Sequence, residues 1–180
     1  MKLADYLTLS RIILTPVCLF FLFIPMEHKE IYAAAIFILA ALTDGLDGYV
    51  ARRRKETSAF GKSFDPIADK ILIGGALYSL FMLGKVSGWV VAVILAREVL
   101  ITVLRFKAQK KGLAVAAGLW GKVKTFSQII AIAMIMLSVP GAQIVLYIAV
   151  FFTAFSGFDY LRKWKKVLLP GQEAPRVPKD

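Results

Sequence analysis

Six apolar stretches, each close to twenty residues long and separated by short polar segments, leave this chain few ways to fold. They run over about Leu9–Pro25, Ile31–Ala51, Phe64–Leu83, Gly88–Phe106, Trp120–Val139 and Gln143–Leu161. A membrane-spanning helix needs roughly 20 such residues, so six spans take about 120 of the 180 in the chain. What is left suffices for short loops. The expected architecture is all-α: a polytopic membrane protein of six transmembrane helices in one domain over residues 1–166. Residues 167–180, rich in Pro and charge, read as a flexible C-terminal tail. Composition agrees, with 58% hydrophobic and 19% charged residues against about half and a quarter in soluble domains. The first stretch follows basic residues as a signal peptide does. No small-residue cleavage site comes after it, only Met26-Glu27-His28-Lys29-Glu30, so it reads as a retained helix. A single cysteine, Cys18, excludes an intrachain disulfide and a thiolate metal cluster.

The charge is lopsided. Twenty-three Lys and Arg stand against 12 Asp and Glu, a net +11. The segments after the first, third and fifth stretches hold only Lys29 and Lys85. The other side holds Lys2, Arg11, Arg52-Arg53-Arg54-Lys55, Lys62, Lys107, Lys110, Lys111, Arg162, Lys163, Lys165 and Lys166. Basic loops stay cytoplasmic, which predicts cytoplasmic N- and C-termini. Orientation plus contact with anionic headgroups accounts for the high charge, and no nucleic-acid partner is called for.

Charge also appears where it is costly. Asp44, Asp47, Asp65 and Asp69 fall inside or at the edge of the second and third spans, where acids mark a pathway or a site. Asp44 and Asp47 are i and i+3, and Asp65 and Asp69 are i and i+4, so each pair shares one helix face. A short basic loop joins the two helices, which predicts antiparallel neighbours and four converging carboxylates. Uncompensated, these would repel and take up protons; two divalent cations would neutralise them. All-oxygen ligands favour Mg²⁺, Mn²⁺ or Ca²⁺, and the lone His28 lies on the opposite side. Gly45, Gly48, Ala51 and Gly61 interleave with the acids, either for close helix packing or to bare the backbone for a bulky ligand. Asp44 lies about 12 Å of helix from Arg52, and Asp69 about 10 Å from Lys62. Such depth, just under the cytoplasmic interface, suits chemistry on a lipid phosphate better than a midplane transport site.

Residues 44–69 fit the pattern D-x2-D-G-x2-A-R-x8-G-x3-D-x3-D at every fixed position. In this the chain resembles the CDP-alcohol phosphatidyltransferase family. Leu7-Thr8-Leu9-Ser10-Arg11, Ala96-Arg97-Glu98-Val99-Leu100-Ile101-Thr102-Val103-Leu104-Arg105 and Gly121-Lys122-Val123-Lys124-Thr125 are similar to the bacterial members whose acceptor is glycerol 3-phosphate. Ala4-Asp5 departs from them, where Pro-Asn is usual. The resemblance implies transfer of a phosphatidyl group from CDP-diacylglycerol to sn-glycerol 3-phosphate, with release of CMP, by a homodimer. It implies a multi-pass protein of the bacterial cytoplasmic membrane with its active site facing the cytoplasm.

By the same resemblance, Asp44, Asp47, Asp65 and Asp69 are metal ligands for Mg²⁺ or Mn²⁺, as two ions, and Asp69 is the general base. Gly48, Ala51, Arg52 and Gly61 would contact CDP-diacylglycerol. Arg11, Arg105, Lys122 and Lys124 stand at the cytoplasmic mouth, where the acceptor's phosphate needs cations, and Thr8 can share a helix face with Arg11; each of the four cations also fits plain positive-inside decoration. Arg97 and Glu98 are expected to pair with polar groups inside the bundle. The donor motif leaves open another acceptor, such as inositol phosphate, serine or phosphatidylglycerol. A Mg²⁺ transporter and a metal-braced, non-catalytic bundle are the readings of another class.

Overall fold

The computed structural model describes residues 3–54, 59–110 and 119–168, and within these, side chains outside 1–8, 44–69, 109–118 and 163–180. The described residues form six helices: α1 Leu3–Phe23, α2 Lys29–Arg54, α3 Ala59–Met82, α4 Gly88–Lys110, α5 Leu119–Met136 and α6 Ala142–Leu168. Each covers most of one of the six apolar stretches. Among them, α5 and the Ala142–Arg162 part of α6 are long and apolar enough to cross a membrane. Leu9–Phe23 and Lys70–Met82 are shorter apolar helices. The expected tail lies outside the described residues apart from Val167 and Leu168, which end α6.

At the basic end the helices overrun the apolar stretches. α2 continues to Arg54, α4 to Lys110 and α6 to Leu168, while α1 begins at Leu3 and α3 at Ala59. Ala, Lys and Arg are good helix formers, so the backbone keeps its hydrogen bonds past the point where the side chains become polar. The opposite end closes tightly. Gly84 donates its N–H to Phe81 O at 2.9 Å and Lys85 to Leu80 O at 2.9 Å, the paired bonds of a Schellman cap. Its left-handed residue is Gly84, with φ +70°. The end of α5 repeats this, with Ser138 N–H to Ile135 O at 3.1 Å and Val139 N–H to Met134 O at 2.9 Å. There Ser138, φ +54°, takes the left-handed place.

Lys85 then ties the turns together. Its ammonium donates to Glu30 at the start of α2 (2.6 Å) and to the Ser138 hydroxyl (3.0 Å). Its carbonyl accepts from the Gln143 amide at 2.7 Å. All three turns at this end thus meet at one residue.

Packing within the bundle uses small side chains. Ala33, Ala34 and Ala40 of α2 are buried, and the Cys18 thiol of α1 donates to Ala33 O at 3.3 Å. Small residues let helix backbones approach where lipid offers no hydrophobic drive. Phe37, Leu72, Leu77, Leu80, Ile94, Ile132 and Met136 fill the centre. The outer surface is apolar too: Phe20, Leu42, Phe126, Phe151 and Phe158 are each more than 60% exposed, the reverse of what water tolerates in bulk. Trp89 stacks on Tyr147 toward the Lys85 end and Trp120 meets Phe155 toward the other, as in the aromatic belts of membrane interfaces. Among the described residues α2 packs mostly along α1, less on α5, and touches α3.

Candidate functional site

The acidic motif sits on continuous helix. Positions 44 and 47 belong to α2, and 65 and 69 to α3. Gly48, Ala51 and Arg52 lie on α2 and Gly61 on α3, while Thr8 lies on α1. The side chains of all these residues are outside the described ones. Among the described residues no three His, Cys, Asp or Glu side chains gather as a metal site.

The described part begins one residue beyond the motif. Lys70, which follows Asp69 on α3, lines a cleft of about 230 Å³ together with Gly74, Glu98 and Thr102 of α3 and α4 and with Lys124 and Gln128 of α5. Val99 and Val103 form its lip and are exposed on the outer surface. A seam of polar groups runs from Glu98 and Lys124 of the wall to Arg97 and Ser156 behind it. One oxygen of Glu98 accepts from the Lys124 ammonium and from Arg97 Nη1, the latter at 2.9 Å. Arg97 Nη2 donates to the Ser156 hydroxyl at 3.0 Å, and Ser156 donates to Thr153 O at 3.0 Å. Lys124 is 5% exposed. A buried charge has to be paired, and here α4, α5 and α6 supply the partners jointly. The pairing expected of Arg97 and Glu98 is therefore present.

The other cationic candidates differ in placement. Arg11 is fully buried and has interaction partners. Arg105 and Lys122 are exposed, at the ends of α4 and α5 on the basic side. Lys124 spends part of its hydrogen bonding on Glu98. Two partners of these polar groups were not singled out from sequence: Ser156, which accepts from Arg97, and Thr153, which accepts from Gln128, both on α6. Their signal is faint, a Ser and a Thr at i, i+3 inside an otherwise apolar helix.

Comparison with known proteins fixes what kind of chain carries this site. The model of the CDP-alcohol phosphatidyltransferase family matches residues 1–155. The chain belongs to the CDP-alcohol phosphatidyltransferase family. It is 36% identical to the CDP-diacylglycerol–glycerol-3-phosphate 3-phosphatidyltransferase of Bacillus subtilis, over 90% of this chain and 94% of that protein. It is 41% identical to a probable phosphatidylglycerophosphate synthase of Mycobacterium tuberculosis, over 90% and 81%. The Rickettsia felis CDP-diacylglycerol–glycerol-3-phosphate 3-phosphatidyltransferase is 36% identical, over 92% and 96%. The family match reaches from α1 into α6, so it includes the acidic motif and the whole polar seam except Ser156.

Proposed function

We propose that this phosphatidyltransferase is a phosphatidylglycerophosphate synthase, which moves the phosphatidyl group of CDP-diacylglycerol to sn-glycerol 3-phosphate and releases CMP. One observation carries the reading at the level of the site: a cleft with buried and half-buried cations, Lys70 and Lys124, starts where the acidic motif of α3 ends. A nucleotide-diphosphate donor and a phosphorylated acceptor need such neighbouring provinces, one for cations held by carboxylates and one of fixed positive charge. The relatives' names support the same pair of substrates.

In this reading Asp44, Asp47 and Asp65 hold two divalent ions, Mg²⁺ or Mn²⁺, with Asp69 able to join. The donor set fits: all hard oxygen ligands, on two helices that touch. When bound, such ions stabilise negative charge building on the leaving CMP. Gly48, Ala51 and Gly61 leave room for the cytidine diphosphate, and Arg52 grips a phosphate oxygen with its guanidinium fork. Asp69 takes the proton of the acceptor hydroxyl. That oxygen bonds to the phosphorus bearing diacylglycerol as the bond from the phosphorus to CMP breaks. Thr8, Arg11, Arg105, Lys122 and Lys124 attract and orient the acceptor's phosphate. The six helices cross the bacterial cytoplasmic membrane with both termini and the site on the cytoplasmic side, as one domain over residues 1–166 followed by the tail. The working form is a homodimer.

The test is CMP release by purified protein given CDP-diacylglycerol, Mg²⁺ and a panel of acceptors. Glycerol 3-phosphate is expected to be used far better than glycerol, inositol phosphate or serine. Excess chelator is expected to abolish release, and Mg²⁺ or Mn²⁺ to restore it. Equal use of free glycerol overturns the acceptor assignment, and full activity in chelator overturns the two-ion site.

A further inference from the structure

Gln128 is 1% exposed and lines the cleft one helical turn deeper than Lys124. Its amide orientation follows from its neighbours. The Thr153 hydroxyl donates its proton to Ala149 O at 2.6 Å, so toward Gln128, 2.9 Å away, it acts as acceptor. The group facing Thr153 must therefore be the amide nitrogen. That leaves Gln128 Oε1 on the other edge of the amide, buried and with no donor among the described residues. An unsatisfied buried carbonyl oxygen is costly, and here the bond to Thr153 on the other edge of the amide holds it in place.

We infer that Gln128 Oε1 is a specificity-determining hydrogen-bond acceptor for a hydroxyl of the acceptor alcohol. This rests on the proposed reading of the acceptor as glycerol 3-phosphate. That molecule has two hydroxyls, of which one attacks the donor. The other, on the middle carbon, is free to be read. The cleft is lined by Lys70 and Lys124, cations that suit the phosphate, and by Gln128, whose buried, unsatisfied oxygen suits the hydroxyl. A pocket volume of about 230 Å³ admits a three-carbon phosphate. Thr153 is then a positioning residue, fixing which edge of the amide the ligand meets.

The experiment compares glycerol 3-phosphate with 3-hydroxypropyl phosphate, which lacks the middle hydroxyl but keeps the attacking one. Wild type is expected to prefer glycerol 3-phosphate by about 10- to 100-fold in kcat/KM, since a site built to bond a hydroxyl rejects the analogue without it. Gln128→Met, similar in length but without the acceptor, is expected to lose most of that preference while its KM for CDP-diacylglycerol stays within about twofold, as expected for a donor bound elsewhere. If wild type uses both acceptors equally, the inference fails whatever the variant does. If Gln128→Met keeps the preference, Gln128 only braces α5 against α6, and the inference is overturned. No CMP release with glycerol 3-phosphate at all overturns the acceptor assignment itself, a separate outcome.

Discussion

Glu98 serves two cations with a single carboxylate oxygen, and the two partners are not equally dependent on it. Removing Lys124 leaves Arg97 to neutralise Glu98. Removing the charge of Glu98 leaves two cations side by side in a wall that water hardly reaches. Glu98→Gln is therefore expected to cost about 3–5 kcal/mol, the usual toll of breaking a buried pair, and Lys124→Met about 1–2 kcal/mol, nearer that of one charged hydrogen bond. Thermal unfolding in detergent compares them, and equal losses speak against the shared arrangement. The acids of the proposed metal site separate in a different way. Asp69→Asn removes a base and is expected to lower turnover by roughly 10²–10⁴ while CDP-diacylglycerol still binds with Mg²⁺. Asp44→Asn and Asp65→Asn are expected to lose donor affinity and turnover together. Calorimetric donor binding beside CMP release decides it: if Asp69→Asn binds as poorly as Asp44→Asn, Asp69 is first of all a ligand.

The helices show how local chemistry sets boundaries. Gly84 has open space around the position a Cβ would take, so only its left-handed backbone resists substitution. Gly84→Ala is expected to destabilise by about 1 kcal/mol, read as a lower Tm, with turnover unchanged. No change in Tm would mean that the cap contributes nothing. The number and position of the helices among the described residues were legible in the sequence, because each long apolar stretch marks a helix. Helix ends at the basic side were not, since hydropathy records where a side chain prefers to sit and not where the backbone stops bonding to itself. The helical setting of the acidic motif was legible, since positions 44 and 47 fall on α2 and 65 and 69 on α3. By contrast, i and i+4 put Lys124 and Gln128 on one side of α5 but could not say that Glu98 and Thr153 stand opposite them. Those pairings arise from how α4, α5 and α6 settle against each other, which spacing within one segment does not encode. The reach of Lys85 to Glu30 and Ser138 was hidden for the same reason.

At the scale of the whole molecule the proposed orientation is testable, and the chain lends itself to the test. Its single cysteine, Cys18, is fully buried, so a thiol reagent meets little background. Glu27 at the Lys85 end and Arg162 toward the basic end both have accessible side chains. With the proposed topology, Glu27→Cys is expected to react with a membrane-impermeant maleimide in intact cells, and Arg162→Cys only after permeabilisation. The opposite pattern reverses the assignment. One practical consequence follows from Lys85. Because its side chain and carbonyl reach the beginning of α2, the cap of α5 and the beginning of α6, the lengths of three turns are correlated with one another. A residue inserted beside Lys85 displaces a partner of the other two turns, and one inserted in either of those displaces a partner of Lys85. Epitope tags, fusion reporters and loop grafts placed there would meet a closed knot, and a chain that drifted in one turn would have to drift in all three at once.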